Sequence, residues 1–130
     1  MAGKIVADTL EHSTAGSVTT DYVVNGSAKA WVNFNGTGTI ATRDSLNVAS
    51  LTDNGTGNYT VTFSSAIANS NYSISSSSGQ PERPLRTGSD KSGGDVTTAS
   101  VRLHQYYGTS GAALGEDVGF ITFSLHGDLA

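Results

Sequence analysis

Arg102, His104, Tyr106 and Tyr107, lying just ahead of the glycine-rich stretch Gly108–Gly115, form the best candidate binding surface in the chain. Tyrosine joins a flat apolar ring to a polar tip, a combination that suits sugar rings and protein partners alike. Alternation along a strand sends the two adjacent rings to opposite faces, so one of them is as well placed to fill a core as to meet a ligand. A second polar cluster, Asp53-Asn54-Gly55-Thr56-Gly57-Asn58, offers several oxygens in a tight loop that could hold a cation. It lacks the closing bidentate glutamate of an EF-hand, and its composition is that of a hairpin turn.

Other chemistries find less support. His12, His104 and His126 are far apart, and none has a partner at metal-ligand spacing. Three copies of His126 around a trimer axis could still ligate zinc, which accepts three imidazoles and a water; the alternative is a surface or capping role. Gly36-Thr37-Gly38-Thr39-Ile40-Ala41 matches the letters of a dinucleotide loop. That loop works only where a helix follows and offers its N-terminus to the pyrophosphate, and here a strand-like Thr/Ile segment follows. Serine, histidine and aspartate all occur, yet no serine sits in G-x-S-x-G and the carboxylates scatter over turns. Cysteine is absent, which excludes disulfides, thiolate metal sites and cysteine nucleophiles. The expectation is a non-enzymatic interaction protein without metal or cofactor.

The elements that would position these residues are organised around Ser27–Gly38, which holds the only tryptophan. Ala28, Ala30, Val32 and Phe34 fall on one side of an extended chain, and Lys29, Trp31 and Asn33 on the other. Apolar matter on both faces places Trp31 and Phe34 in a packed core or a subunit contact. Asn25-Gly26 and Asn35-Gly36 bracket the strand, and that dipeptide favours tight hairpins. Val18–Val24 is therefore expected to pair with the Trp31 strand as a hairpin. A surer hairpin joins Leu46–Thr52 to Asn58–Phe63, whose Tyr59, Val61 and Phe63 alternate with threonines. Ser65–Asn71 is the only window with room for a helical turn. Ser75–Gly94, with both prolines and a serine run, reads as a long surface loop. Asp95–Tyr107 is the longest strand candidate. Val118–His126 resembles the Trp31 strand, with Ile121, Phe123 and Leu125 on one face and Val118 and Phe120 on the other.

Composition agrees with that organisation. With 130 residues, 16 of them glycine, 36 % hydrophobic and 14 % charged, the chain has the makeup of short strands and many turns, and helix should be scarce. The reading is a short N-terminal arm, residues 1–16, and a single β domain, residues 17–130. The domain is expected to be a small antiparallel β-sandwich, jelly-roll-like. Its large apolar residues are few enough that core is expected from partner subunits, with Trp31, Phe34, Phe120 and Phe123 as the oligomer and core residues. A net charge of −4 with no cationic block disfavours docking on nucleic acid. No apolar run approaches the roughly 20 residues of a membrane span, and the first residues lack the core of a signal peptide, so the chain is expected to be made and kept, or assembled, in a cytoplasm.

Ala28-Lys29-Ala30-Trp31-Val32-Asn33-Phe34-Asn35-Gly36-Thr37-Gly38-Thr39-Ile40 resembles a family of bacteriophage virion proteins described as tail-fibre-like and common in phages of aquatic bacteria. The likeness continues through Asp44–Val48, Thr52–Phe63, Ala68–Tyr72 and the closing His126-Gly127-Asp128-Leu129-Ala130, and so spans most of the chain. It implies a virion structural protein of fibre or fibre-tip type, built as a homotrimer. Its implied partners are other virion proteins of the tail or capsid and a host-surface glycan. The same build suits a capsid decoration (cement) protein that stabilises the phage head.

Overall fold

The computed structural model describes residues 3–79, 86–88, 96–107 and 114–129. In chain order the elements are β1 (Thr9–His12), β2 (Gly16–Thr19), α1 (Thr20–Gly26), β3 (Ala28–Asn35), β4 (Ala41–Leu46), β5 (Val48–Asp53), β6 (Asn58–Phe63), β7 (Ser73–Ser78), β8 (Arg86–Gly88), β9 (Ser100–Tyr107), β10 (Leu114–Gly115) and β11 (Ile121–His126). The protein is thus nearly all-β, and among the described residues every strand pairing is antiparallel. One sheet has the order β4-β3-β11-β7; the other has β10-β9-β6-β5, with β8 also paired to β9.

Alternation builds the core. Ala30, Val32 and Phe34 of β3, and Ile121, Phe123 and Leu125 of β11, point inward from the first sheet. Tyr59, Val61 and Phe63 of β6 meet them from the second sheet, together with Val101 and Leu103 of β9. The rings of Phe34 and Tyr59 meet edge-on at 5.3 Å, and Phe63 stacks on Phe123 at 6.5 Å. Burying each of these side chains stabilises the fold by about 1.5–3 kcal/mol before entropy is counted, so this shared apolar layer makes the two sheets one body.

A single residue carries the chain from one sheet to the other. Asn47 lies between β4 and β5 with φ 55°, a left-handed conformation that asparagine adopts more readily than most residues. Its Oδ1 accepts the Ser65 N–H at 2.7 Å, and its Nδ2 donates to the Ser65 carbonyl oxygen at 3.1 Å. The corner is therefore fixed by its own side chain.

Several expectations are corrected. Val18–Val24 does not pair with β3: Thr20–Gly26 is helix α1, and β3 instead takes β4 and β11 as neighbours. Asp21 in the first turn suits the positive end of the helix, and Thr20 anchors that end by donating through Oγ1 to the Ala7 carbonyl oxygen at 2.9 Å. Ser75–Ser78 is not loop but part of β7, because the open edge of β11 supplies a row of hydrogen-bonding partners that outweighs the weak strand preference of serine. No helical turn forms in 65–71, where Ile67 is buried and bridges to Leu129. β11 is not apolar on both sides. Its outward residues are Thr122, Ser124 and His126; Val118 lies before the strand and drops into the core, and Phe120 is exposed beneath the Arg43 guanidinium. Pro81 and Pro84 lie outside the described residues.

Asn47→Ala removes both side-chain bonds and leaves a Cβ residue without local support at positive φ. Urea denaturation should show a loss of about 1–3 kcal/mol. Asn47→Gly, which loses the bonds but relaxes the backbone, should cost less.

Candidate functional site

Alternation along β9 sends Val101, Leu103 and Gln105 into the core and leaves Arg102, His104 and Tyr106 half-buried on the outer face. Register places Arg102 beside Thr60 and His104 beside Asn58 of β6. Arg102 Nε donates to Asn58 Oδ1 at 2.7 Å, and Asn54 Nδ2 donates to Thr60 Oγ1 at 2.8 Å. Three of the four residues singled out in the sequence thus share one face with an amide and hydroxyls. The fourth, Tyr107, ends β9, and its side chain is outside the described residues, as is 108–113; Leu114–Gly115 pairs with β9 as β10. A guanidinium, an imidazole and a phenol on a flat sheet can orient a polar ligand by hydrogen bonds.

The turn below this face is pinned from inside. Asp117 Oδ1 accepts the Gly57 N–H and the Tyr59 hydroxyl, each at 2.7 Å, and the hydroxyl also reaches the Gly36 carbonyl oxygen at 3.0 Å. Burial first, then the hydrogen bond and charge of Asp117, hold the Tyr59 phenol well above its ordinary pKa. Gly57 has φ 68°, and a Cβ there would be driven into the Gln105 carbonyl oxygen, so only glycine closes the turn. The oxygens proposed for a cation are engaged locally: Asp53 Oδ1 accepts the Gly55 N–H at 2.8 Å, and Asn58 Oδ1 is held by Arg102. Among the described residues, no three His, Cys, Asp or Glu side chains gather as metal ligands. His12 Nδ1 accepts the Ala15 N–H at 3.1 Å, and His126 ends β11 between Ala28 and Ser73.

A second surface was not singled out by sequence chemistry. In β1, β2 and α1 no residue is buried, yet this segment and the residues before it carry exposed apolar side chains: Ile5 and Val6 ahead of β1 are 90 % and 81 % exposed, and Tyr22 and Val24 of α1 are 74 % and 57 % exposed. It is ordered locally by the β1–β2 hairpin, by the Thr20 N–H donated to the Asp8 carbonyl oxygen at 2.9 Å, and by Lys29 Nζ, which donates to the Val24 carbonyl oxygen. Between α1 and the body runs a cleft of about 1050 Å³, lined in part by Val23, Val24, Leu46 and Leu129. Residues 17–26, which follow the arm expected over residues 1–16, are likewise without a buried residue. Thr19-Thr20-Asp21 before the valines, and Gly26 after them, are the helix signals that the hairpin reading passed over.

Of the remaining residues singled out, Phe34 and Phe123 are core, Trp31 is half-buried on the outer face of the first sheet, and Phe120 is exposed. No helix among the described residues is long and apolar enough to cross a membrane. No protein-family model, no curated protein and no solved structure matches the chain.

Alkaline stability tests the buried hydroxyls. Tyr59 is raised as described, and burial pushes Tyr72 up to about 12. Both folded values lie above the unfolded value near 10, so the stabilisation is complete below pH ~10 and is lost as pH rises through the folded values. Denaturation midpoints should fall between pH ~10 and ~12, with a slope of up to ~1.4 kcal/mol per pH unit for each phenol. Tyr59→Phe should reduce that slope.

Proposed function

We propose that the chain is a non-enzymatic structural protein of a phage particle, of fibre or fibre-tip type, that assembles as a homotrimer and meets a host-surface glycan. The observation that carries this reading is the N-terminal segment. A hairpin and helix with no buried residue, exposing Tyr22 and Val24 and preceded by the exposed Ile5 and Val6, is an element that needs an outside surface to cover it. Adjacent copies and another virion protein are the partners proposed to supply it. The resemblance to tail-fibre-like virion proteins supports the setting. A jelly-roll-like course for the body draws support from β3 and β11, its first and last strands, lying side by side as strands do when a Greek key closes. The outer face of β9, with Arg102, His104 and Tyr106, offers a site for contacts with the host, and the polar outer face of β11 shifts the expected subunit contact away from Phe120–Phe123 towards the N-terminal segment.

Gold-labelled antibody raised against the purified chain and applied to intact particles tests the reading. Label at the tail extremity is the expected result. Label spread over the head would establish the capsid decoration role in its place, and purified particles without label would overturn both.

A further inference from the structure

Trp31 lies on the outward face of the β4-β3-β11-β7 sheet. Register sets it opposite Leu46 on β4 and Ser124 on β11, and sets Ser124 opposite Ser75 on β7. The next row outward runs Asp44, Asn33, Thr122, Ser77. A large indole in this position adds nothing to the core, which lies on the other face of β3 and is filled by Ala30, Val32 and Phe34. It instead forms one wall of an open trough of about 440 Å³, within the range of roughly 300–1,000 Å³ usual for small-ligand sites. The rest of the trough's polar lining is a comb of short groups: Asn33, Ser75, Ser76, Ser77, Thr122 and Ser124. Among the described residues, no side-chain hydrogen bond engages the hydroxyls of Ser75, Ser77 or Ser124.

We infer that this trough is a carbohydrate site, in which the indole of Trp31 stacks on the apolar face of a neutral pyranose ring and the Ser/Thr/Asn comb hydrogen-bonds its hydroxyls. The inference deepens the glycan-contact part of the function proposed above and moves that contact to the sheet opposite β9. A sugar ring is flat and weakly apolar on one side and rich in hydroxyls around its edge, which matches one aromatic plane bordered by donors and acceptors. A protein hot spot would need a cluster of buried anchors, and the trough has a single ring. Neutrality follows from the lining, none of whose side chains is ionisable. The flanking cations have partners of their own: Arg43 Nη1 donates to Asn33 Oδ1 at 3.2 Å and its Nη2 to the Gly119 carbonyl oxygen, and Lys29 Nζ donates to the Ser27 carbonyl oxygen at 3.2 Å.

The chain has one tryptophan, so indole fluorescence of the purified full chain reports this site alone. Maltose, cellobiose and lactose titrated into it, with sialyllactose as the charged comparator, should give a saturable emission change with at least one neutral sugar. Calorimetry with that sugar should show Trp31→Ala and Ser75→Ala/Ser124→Ala each binding about tenfold or more weakly. The control variant Thr52→Ala, at an exposed position of β5 in the other sheet, should bind as wild type, and all variants should keep the wild-type circular dichroism. Three results would overturn the inference: no emission change with any neutral sugar, a response to sialyllactose alone, or an emission shift produced by protein concentration without sugar, which would assign the face to a second copy. Sugar binding by a chain that is absent from particles would sink the virion reading and leave the site standing. Labelled particles bearing a sugar-blind chain would do the reverse.

Discussion

The Tyr59 hydroxyl, on β6, bonds Asp117 at 2.7 Å and the Gly36 carbonyl oxygen at 3.0 Å, and those two partners flank β11 and β3 in the opposite sheet. One buried phenol thus fastens the two layers where their loops converge. Without that partner the hydroxyl would be a buried polar group with nothing to bond, a cost of about 1–3 kcal/mol. The neighbouring glycines follow from the same constraint: a Cβ on Gly36 would meet the Tyr59 ring, and one on Gly57 would meet the β9 backbone. The close approach that lets Asp117 hold both Gly57 and Tyr59 also sets the height of β9, and with it the face that carries Arg102, His104 and Tyr106.

With the layers fixed in this way, the apolar residues divide sharply. The core is small, and its members come from both sheets. The exposed apolar residues concentrate instead in the N-terminal hairpin and helix and around the cleft that separates α1 from the body. A segment with secondary structure but no core is stable only when something covers it, because an isolated hairpin and a seven-residue helix each lie below the length that stands alone in water. Under the proposed function, assembly and ligand contact fall to different parts of the molecule: assembly to the N-terminal hairpin and helix, ligand contact to the outer sheet faces.

Much of the body was legible in the sequence, because period-two alternation is a local signal. Tyr59, Val61 and Phe63 against Thr60 and Thr62 marked β6 and its inward face, and the Asp53–Asn58 turn marked its hairpin. Arg102, His104 and Tyr106 could be grouped for the same reason, since alternate residues of one strand share a face. What was not legible depended on partners distant in sequence. The serines of β7 carry no strand signal of their own and become a strand only against β11. Val18–Val24 looked like strand because valines are β-branched, while the short helix they join is set by Thr20 and Asp21 at its start and by its tie to Ala7 and Asp8. Phe120 and Val118 were assigned to one face by counting, but the strand starts only at Ile121, so their alternation had no sheet to follow. The trough beside Trp31 also needed the fold, since its serines come from β7 and β11 and meet the indole only through register.

The central claim is that the N-terminal segment is an assembly surface, left open in the single chain and covered in the working protein. Amide hydrogen exchange resolved over residues 9–26 tests it directly, followed from dilute to concentrated protein and on into intact particles. The account predicts fast exchange in the dilute chain and strong protection on assembly, while β3, β6, β9 and β11 stay protected throughout. Exchange in residues 9–26 that remains fast in the assembled state would contradict it.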